Sequence, residues 1–465
     1  MAACRRNAVY VHGLVRIRWY EPPSTSALLG LVAIGLVVLA FSFRASARPV
    51  EAVAFSDVTA YERYGSLVVD GALPYRDFDL EYPPGALAMF VVPATAVAAR
   101  GAVGGASWSP PNQQARRYYR AYTSLVWVLL SAILVLTAST LRAMHRPALV
   151  FVMALGVVAC SPLLLGQVLI ERFDVLPAAL VAAALATSVR GHHRPAGALL
   201  GLGIAVKFFP AVLLPIVAIT ALRQRGRREA VWVVAIALGT TLAVFAPFAV
   251  ASFSEMWNAL HVQFRGGLQI ETLASSAFVL ASHAVDALGL RPFELSSEGA
   301  GGGLVRFDLA GPGVAQVKTA TTVLVVAGVC WLWIAFLRSA GDTREEMLRF
   351  AAAAVAALLV LGTILSPQYI IWLLPVVPLV GGRRGTAALF AFALAAYLTN
   401  LWIPEHYFDY QADLEAGPTS LLLARNLALV GVLVTLVAPA RLGMRAAYRK
   451  RRDDSGDSRT RSGRT

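Results

Sequence analysis

Long apolar runs with few or no charged residues dominate this chain and restrict most strongly how it can fold. Hydrophobic residues make up 57% of its 465 residues and charged residues only 15%, whereas soluble domains carry about a quarter charged residues. A run of about 18 apolar residues can cross a bilayer as a helix. Such runs lie near 26–43, 121–141, 148–166, 174–189, 230–251, 318–337, 348–365, 368–381, 386–403 and 418–440. The sequence therefore predicts an all-α integral membrane protein with many spans.

Basic residues give the chain a formal net charge of +14, and they collect in short loops between the apolar runs and near both ends. They cluster at 5–18, 142–146, 190–194, 223–228, 383–384 and 441–464. This is the positive-inside pattern, so the charge indicates topology and contact with anionic membrane lipid rather than binding of nucleic acid. We expect both termini on the cytoplasmic side of the cell membrane.

The stretch 196–222 lies between two basic clusters that both favour the cytoplasmic side. It satisfies both only as a hairpin of two short helices that turns near Lys207 and Pro210. Pro210 supports a break there, because proline removes a helical hydrogen bond. The hairpin brings the expected number of transmembrane helices to about twelve.

A single transmembrane domain is predicted over residues 1–448. Its first external loop, 44–120, contains the short apolar segment 86–100, which we expect to lie as an interfacial helix against the membrane. The end of the chain, 449–465, is predicted to be a disordered basic cytoplasmic tail. The three cysteines are too scattered for a disulfide framework or a metal site, and we predict neither a metal nor a cofactor.

The predicted topology places almost every unusual polar residue on the outer side of the membrane. These residues fall at 57–81, 167–174, 207, 261–271, 368–369 and 405–415. Ionisable side chains beside apolar spans are costly, so their grouping on one face indicates a functional site.

The polar segment 55–85 contains a long motif made of Asp57, Tyr61, Gly71, Pro74, Tyr75, Asp77, Phe78, Glu81, Tyr82, Pro83 and Pro84. In these residues the chain resembles the actinobacterial membrane mannosyltransferases of glycosyltransferase family 87. Lys207 with its following Phe-Phe-Pro, and the segments 265–271 and 366–375, are similar to further motifs of that family. The resemblance implies a GT-C-type helical bundle that uses polyprenyl-phosphate mannose as donor.

The resemblance also implies that Asp57, shortly after the first span, is the catalytic general base. A base of this kind takes the proton of the acceptor hydroxyl while that oxygen attacks the sugar. The residue pattern alone leaves a second role open, because Ser56 and Asp57 would also suit the cap of a helix that begins at Val58.

Three side chains are assigned to the donor phosphate: Lys207, Arg265 and His261. Lys207 is a lone lysine in an apolar hairpin, where a helix break suits a lipid-linked phosphate; snorkelling to the interface is the alternative. Arg265 resembles the arginine of the family's Arg-Gly-Leu-Gln-Ile-Glu-Ser motif, and a guanidinium can hold phosphate bidentately. A pair between Arg265 and Glu271 is the other possibility.

Six side chains are assigned to the acceptor or the sugar: Tyr75, Asp77, Glu81, Asp174, Gln368 and Tyr369. We expect Asp77 and Glu81 to pair with Arg76 or another external basic residue and to shape the acceptor cleft. Asp174 could instead form an interfacial salt bridge with Arg172. Tyr369 and Trp372 could belong to the aromatic belt at the membrane surface.

These observations predict a membrane glycosyltransferase that transfers mannose from a polyprenyl-phosphate donor to a glycolipid or cell-wall glycan on the outer face. The alternative is a secondary transporter or a flippase for lipid-linked sugars, since a broken hairpin would suit one. Secondary transporters bind their substrates near the midplane of the bilayer, whereas the polar residues here are predicted to gather on the outer face of the membrane. A non-catalytic scaffold would have little use for Asp57, Lys207 and Arg265 together.

Overall fold

The computed structural model describes residues 19–47, 56–103, 111–286, 294–299, 305–403, 405–407 and 414–438. Its helices are α1 (Thr25–Ser46), α2 (Asp57–Val69), α3 (Leu87–Val103), α4 (Pro111–Ala143), α5 (Ala148–Ala159), α6 (Ser161–Leu165), α7 (Gln167–Ile170), α8 (Val175–Val189), α9 (His193–Val206), α10 (Leu214–Arg225), α11 (Arg227–Arg265), α12 (Leu273–Asp286), α13 (Val314–Arg338), α14 (Thr343–Leu361), α15 (Gly382–Trp402) and α16 (Ala416–Val437). Short 3-10 turns lie at Pro84–Ala86, Phe209–Leu213, Pro367–Leu373 and Val377–Leu379, and strands at β1 (Leu268–Gln269), β2 (Glu294–Gly299) and β3 (Val305–Ala310).

Among the described residues, six helices are long and apolar enough to cross a membrane: α1, α4, α11, α13, α15 and α16. Each coincides with a predicted apolar segment, so the prediction of a helical membrane protein is confirmed. Other apolar helices, such as α5 and α8, are shorter than 18 residues. The total of about twelve transmembrane helices stays a prediction. The predicted tail, 449–465, lies outside the described residues.

Helix α14 lies at the centre of the bundle, where α10, α13 and α16 pack on it. Its run of alanines, Ala351–Ala354 with Ala356 and Ala357, is at most 1% exposed. Small side chains let neighbouring helices approach closely, which is how helices associate in a membrane without a hydrophobic driving force between them. The sequence of this helix therefore suits a position inside the bundle rather than against lipid.

The predicted hairpin over 196–222 is confirmed. Helix α9 ends at Val206, Lys207 is extended, and the chain continues through a 3-10 turn into α10. The two ends of the hairpin lie together: the Nε2 atom of His193, at the start of α9, is 3.1 Å from the Oε1 atom of Gln224, near the end of α10. Pro210 stands in the turn, where its missing N–H costs no helical hydrogen bond.

The arginines near the helix ends gather at the same end of the bundle as this pair of termini. Arg146 forms an ion pair of 2.7 Å with Glu345 at the start of α14. Arg223, near the end of α10, donates a hydrogen bond of 2.6 Å to the carbonyl of Phe336 near the end of α13. Basic clusters that the positive-inside rule assigns to one side therefore do lie together in the fold.

The segment 368–381, predicted as a transmembrane span, is not an α-helix. It consists of two 3-10 turns and is buried within the bundle, with Ile370, Ile371 and Leu373 fully buried. Its prolines lack the N–H groups that an α-helix of this length would use. The apolar composition that suggested a lipid-facing span instead reflects contact with other helices on all sides.

A small antiparallel sheet, in the order β1-β3-β2, is absent from the all-α prediction. Leu268 pairs with Leu309 and Gln269 with Asp308. The Oε1 atom of Gln269 also accepts the N–H of Leu365 at 2.9 Å, which fixes the sheet to the chain leaving α14. Strands of two and six residues give too weak a pattern to be recognised among apolar helices.

The turn at Pro84–Ala86 lies directly against the chain where α9 ends. A Cβ atom added to Gly85 would lie 2.6 Å from the carbonyl carbon and oxygen of Ala205 and 2.8 Å from the nitrogen of Val206. Only glycine permits so close a backbone approach. The segment between α2 and α3 is therefore anchored one residue away from Lys207.

Replacing Gly85 with alanine should separate this turn from α9. We expect Gly85→Ala to lower the free energy of unfolding by about 1–3 kcal/mol, because the clash is with backbone that cannot rotate away. Thermal unfolding of the purified protein in detergent measures the effect. Gly30→Ala is the matched control, since no atom lies within 4 Å of its added Cβ; equal melting temperatures for the two variants would contradict the anchoring role.

Candidate active site

The start of α2, the loop between α7 and α8, and the break after α9 meet around one buried ring, Phe173. Its centroid lies 5.8 Å from that of Tyr61, 5.0 Å from Tyr82 and 5.7 Å from Phe90. The ammonium nitrogen of Lys207 lies 4.8 Å from the centre of the same ring. Aromatic rings from three parts of the chain thus form the wall on which the charged groups of the site are placed.

Asp57 is the first residue of α2, and Ser56 rather than Asp57 caps the helix. The Oγ of Ser56 accepts the N–H of Val58 at 3.2 Å. The carboxylate of Asp57 instead forms an ion pair with Arg172 and accepts a hydrogen bond of 3.4 Å from the hydroxyl of Tyr61. The carboxylate therefore lies beside the aromatic cluster, and the helix cap does not depend on it.

Asp174 forms the second ion pair of the site. Its side chain is 1% exposed, and its Oδ1 accepts hydrogen bonds of 2.7 Å from both Lys207 and the indole N–H of Trp372. Its Oδ2 is buried without a hydrogen-bond partner among the described residues. In the described contacts, Asp174 pairs directly with Lys207, whereas Arg172 pairs directly with Asp57. Removing one partner of such a buried pair typically costs about 3–5 kcal/mol.

Lys207 is enclosed by aromatic rings as well as by this carboxylate. Its ammonium nitrogen lies 4.8 Å from the ring centre of Phe173, 4.9 Å from Tyr369 and 5.6 Å from Trp372. Tyr369 and Trp372 stack on each other at 4.0 Å. Trp372 is 5% exposed, so this tryptophan belongs to the site and not to an aromatic belt facing lipid. Gln368 is half-buried next to Tyr369.

Tyr75 and Asp77 organise the segment between α2 and α3. Tyr75 is buried with a φ of 68°, and its hydroxyl donates a hydrogen bond of 2.6 Å to the carbonyl of Tyr82. Asp77 pairs with Arg76 at 2.9 Å, as expected, and accepts the N–H of Leu73 at 2.8 Å. The hydrogen bond from Arg76, followed by that from Leu73, lowers the pKa of Asp77. Both side chains already have structural partners.

Glu81 lies half-buried between Leu80 and Tyr82. Burial, with a smaller contribution from the nearby charge of Asp79, raises the pKa of Glu81 to about 7. A carboxyl group with such a pKa can be protonated or ionised near neutral pH. Glu81 directly precedes Tyr82, whose ring contacts that of Phe173.

The two remaining predicted phosphate residues lie at the end of α11. His261 is half-buried and stacks on Trp257 with a centroid distance of 5.9 Å. Arg265 ends the helix, and its side chain lies outside the described part of the structure. Among the described residues, no three His, Cys, Asp or Glu side chains are grouped so that they could hold a metal ion.

The structure therefore brings Asp57, Asp174, Lys207 and Tyr369 together. Arg172 joins them, although sequence reasoning had given it no role beyond a local salt bridge. The signal was present: Arg172 and Asp174 lie two residues apart in a short charged segment between apolar runs, where each charge needs a partner. What the sequence could not supply was the identity of those partners.

The sequence model of glycosyltransferase family 87 matches residues 80–367, which is more than half of the chain. The chain belongs to glycosyltransferase family 87. No curated protein matches the sequence. Arg172, Asp174 and Lys207 lie inside the matched range of this glycosyltransferase. Asp57 precedes the range, and its ion pair with Arg172 connects it to the matched part. Family membership indicates glycosyltransferase activity and does not specify the sugar.

The raised pKa of Glu81 makes folding stability depend on pH. The pKa of Glu81 in the folded protein lies above the ordinary value of 4.5. Protonated Glu81 therefore adds its full contribution to the free energy of unfolding at low pH, and this contribution is lost as the pH rises through about 7. We expect wild-type protein to lose more thermal stability between about pH 5 and about pH 8 than Glu81→Gln does. Asp70→Asn, which alters an exposed carboxylate, should keep the wild-type dependence. Identical pH profiles for wild type and Glu81→Gln would contradict this assignment.

Proposed function

We propose that this membrane glycosyltransferase transfers mannose from a polyprenyl-phosphate-linked donor to a glycolipid or cell-wall glycan acceptor on the outer face of the cell membrane. The observation that supports it most is the placement of a carboxylate, Asp57, beside two cations, Arg172 and Lys207, in one aromatic-lined cluster. Inverting sugar transfer needs a proton acceptor and positive charge for the leaving phosphate.

In the proposed reaction Asp57 accepts the proton of the acceptor hydroxyl. The hydroxyl oxygen forms a bond to the anomeric carbon as the bond from that carbon to the phosphate oxygen breaks. Polyprenyl phosphate leaves with the bonding electron pair, and the cations of the site, Arg172 and Lys207, stabilise its charge. The ion pair of Asp57 with Arg172 supports this assignment, because a base and a phosphate-binding cation must both lie near the same carbon.

A lipid-linked donor accounts for the architecture. The described part of the chain holds helices and one small sheet, without the doubly wound sheet that nucleotide-sugar enzymes use. A polyprenyl chain can lie between helices in the membrane while its phosphate stays at the surface, beside the external loop. The stacked rings of Tyr369 and Trp372 offer an apolar surface of the kind on which sugar faces pack.

Product analysis tests the function directly. Membranes that contain the protein are incubated with labelled polyprenyl-phosphate mannose and extracted glycolipids. We expect mannosylated glycolipid that is absent from membranes lacking the protein. Transport of the intact donor without formation of a new glycosidic bond would support a flippase instead.

Asp57→Asn tests the base. Asparagine keeps the shape of the side chain but cannot take a proton, so turnover should fall by roughly two orders of magnitude or more while expression stays normal. Ser56→Ala is the control, since it removes the observed helix cap at a cost of about 0.5–2 kcal/mol and leaves the carboxylate in place. Asp77→Asn should reduce turnover less. Wild-type transfer rates in folded Asp57→Asn would remove Asp57 from the mechanism.

The proposed topology places 44–120 outside the cell. Ala72 follows α2 in this loop and is half-buried. Because the proposed topology puts the loop outside the cell, Ala72→Cys should react with a membrane-impermeant thiol reagent in intact cells. Native cysteines are replaced beforehand, and labelling is followed by mass shift on a gel. Reaction only after permeabilisation would reverse the proposed orientation and place the site on the cytoplasmic face.

A further inference from the structure

The charges of the site form two neutral pairs: Asp57 with Arg172, and Asp174 with Lys207. A polyprenyl-phosphate sugar brings one further negative charge. Among the described cations of the site, Arg172 and Lys207 are the two that could exchange a carboxylate for the donor phosphate, or contact both groups, when the donor binds. The two cations differ in how easily they can do so.

Lys207 is the more firmly held. Its side chain is 16% exposed, it is surrounded by three aromatic rings, and its partner Asp174 is 1% exposed. If Lys207 left, Asp174 would keep the indole hydrogen bond of Trp372 but would lose the ammonium group that contacts it directly. This pair is expected to persist when the donor binds.

Arg172 is the less firmly held. Its side chain is 29% exposed, and that of its partner Asp57 is 11% exposed at the first turn of a helix. Without Arg172, Asp57 retains the hydroxyl of Tyr61 and the favourable helix dipole. A guanidinium also presents paired N–H groups that match two phosphate oxygens, which an ammonium does not.

We propose that Arg172 binds the donor phosphate and that its departure from Asp57 frees the general base. In the absence of donor, the Oδ2 atom of Asp57 is held by Arg172 and also accepts the hydroxyl of Tyr61. Donor binding moves the guanidinium onto phosphate and exposes this oxygen to the acceptor hydroxyl. The donor then binds before a productive acceptor, and the base is free only when a sugar is in place. This inference rests on the proposed function for its substrate class.

The test measures binding of polyprenyl monophosphate, the leaving group, to the purified full-length protein in lipid nanodiscs. We expect Arg172→Gln to weaken binding about 10- to 100-fold, the loss of one charge-assisted contact. Arg172→Lys keeps the positive charge that pairs with Asp57, so the site should still fold. This variant should weaken binding of polyprenyl monophosphate less than Arg172→Gln does. Unchanged affinity in both variants would overturn the proposal.

Asp57→Asn gives the sharper result, because it removes the group that competes with phosphate for Arg172. We expect it to tighten binding of polyprenyl monophosphate several-fold while transfer is lost. The gain should disappear in the Arg172→Gln/Asp57→Asn double variant. A gain of the same size in the double variant would mean simple charge repulsion by Asp57, and no gain in the single variant would mean that the ion pair does not compete; either result contradicts the proposal.

An equivalent ion pair elsewhere in the chain supplies the matched control. Arg194 and Glu229 are joined at 2.9 Å at the arginine-rich end of the bundle. Arg194→Gln and Glu229→Gln should leave the affinity for polyprenyl monophosphate unchanged.

The proposal and the proposed function fail separately. Transfer from polyprenyl-phosphate mannose with binding that is independent of Arg172 removes only this inference. Binding that depends on Arg172, with no transfer from any polyprenyl-phosphate sugar, removes only the function.

Discussion

Two opposite charges in one short loop, Arg172 and Asp174, join parts of the chain that are far apart in sequence. Arg172 pairs with Asp57 at the start of α2, and Asp174 pairs with Lys207 at the break after α9. A charge in an environment of low dielectric is stable only when it is paired and hydrogen-bonded. These two contacts, together with the close approach of Gly85 to α9, hold the start of α2, the loop between α7 and α8 and the break after α9 against one another.

Aromatic packing complements the ion pairs. Phe173 stands between the two charged residues of its loop, and its ring contacts Tyr61, Tyr82 and Lys207. The rings exclude water, so each charge interacts more strongly with its partner than it would in solvent. The same exclusion of water would keep water from replacing the acceptor hydroxyl in attack on the donor sugar. Stability of the site and suitability for group transfer thus have one physical origin.

Much of the fold could be predicted because it depends on local features of the sequence. The length of the apolar runs sets the long helices, and Pro210 with the flanking arginines sets the hairpin of α9 and α10. The segment 368–381 could not be predicted, because composition alone does not distinguish burial among helices from burial in lipid. The sheet depends on pairing between strands separated by α12, which no local pattern reveals.

The sequence by itself determined which residue types are present for chemistry: Asp57, Asp174 and Lys207 each stand out as an ionisable side chain close to apolar runs. Only the tertiary structure decided how they pair. Asp174 is directed to Lys207 and Trp372, while Asp57 meets Arg172 and leaves the helix cap to Ser56. Sequence spacing fixes neighbours along a helix, whereas the partner of a buried charge is chosen by the packing of distant segments around it.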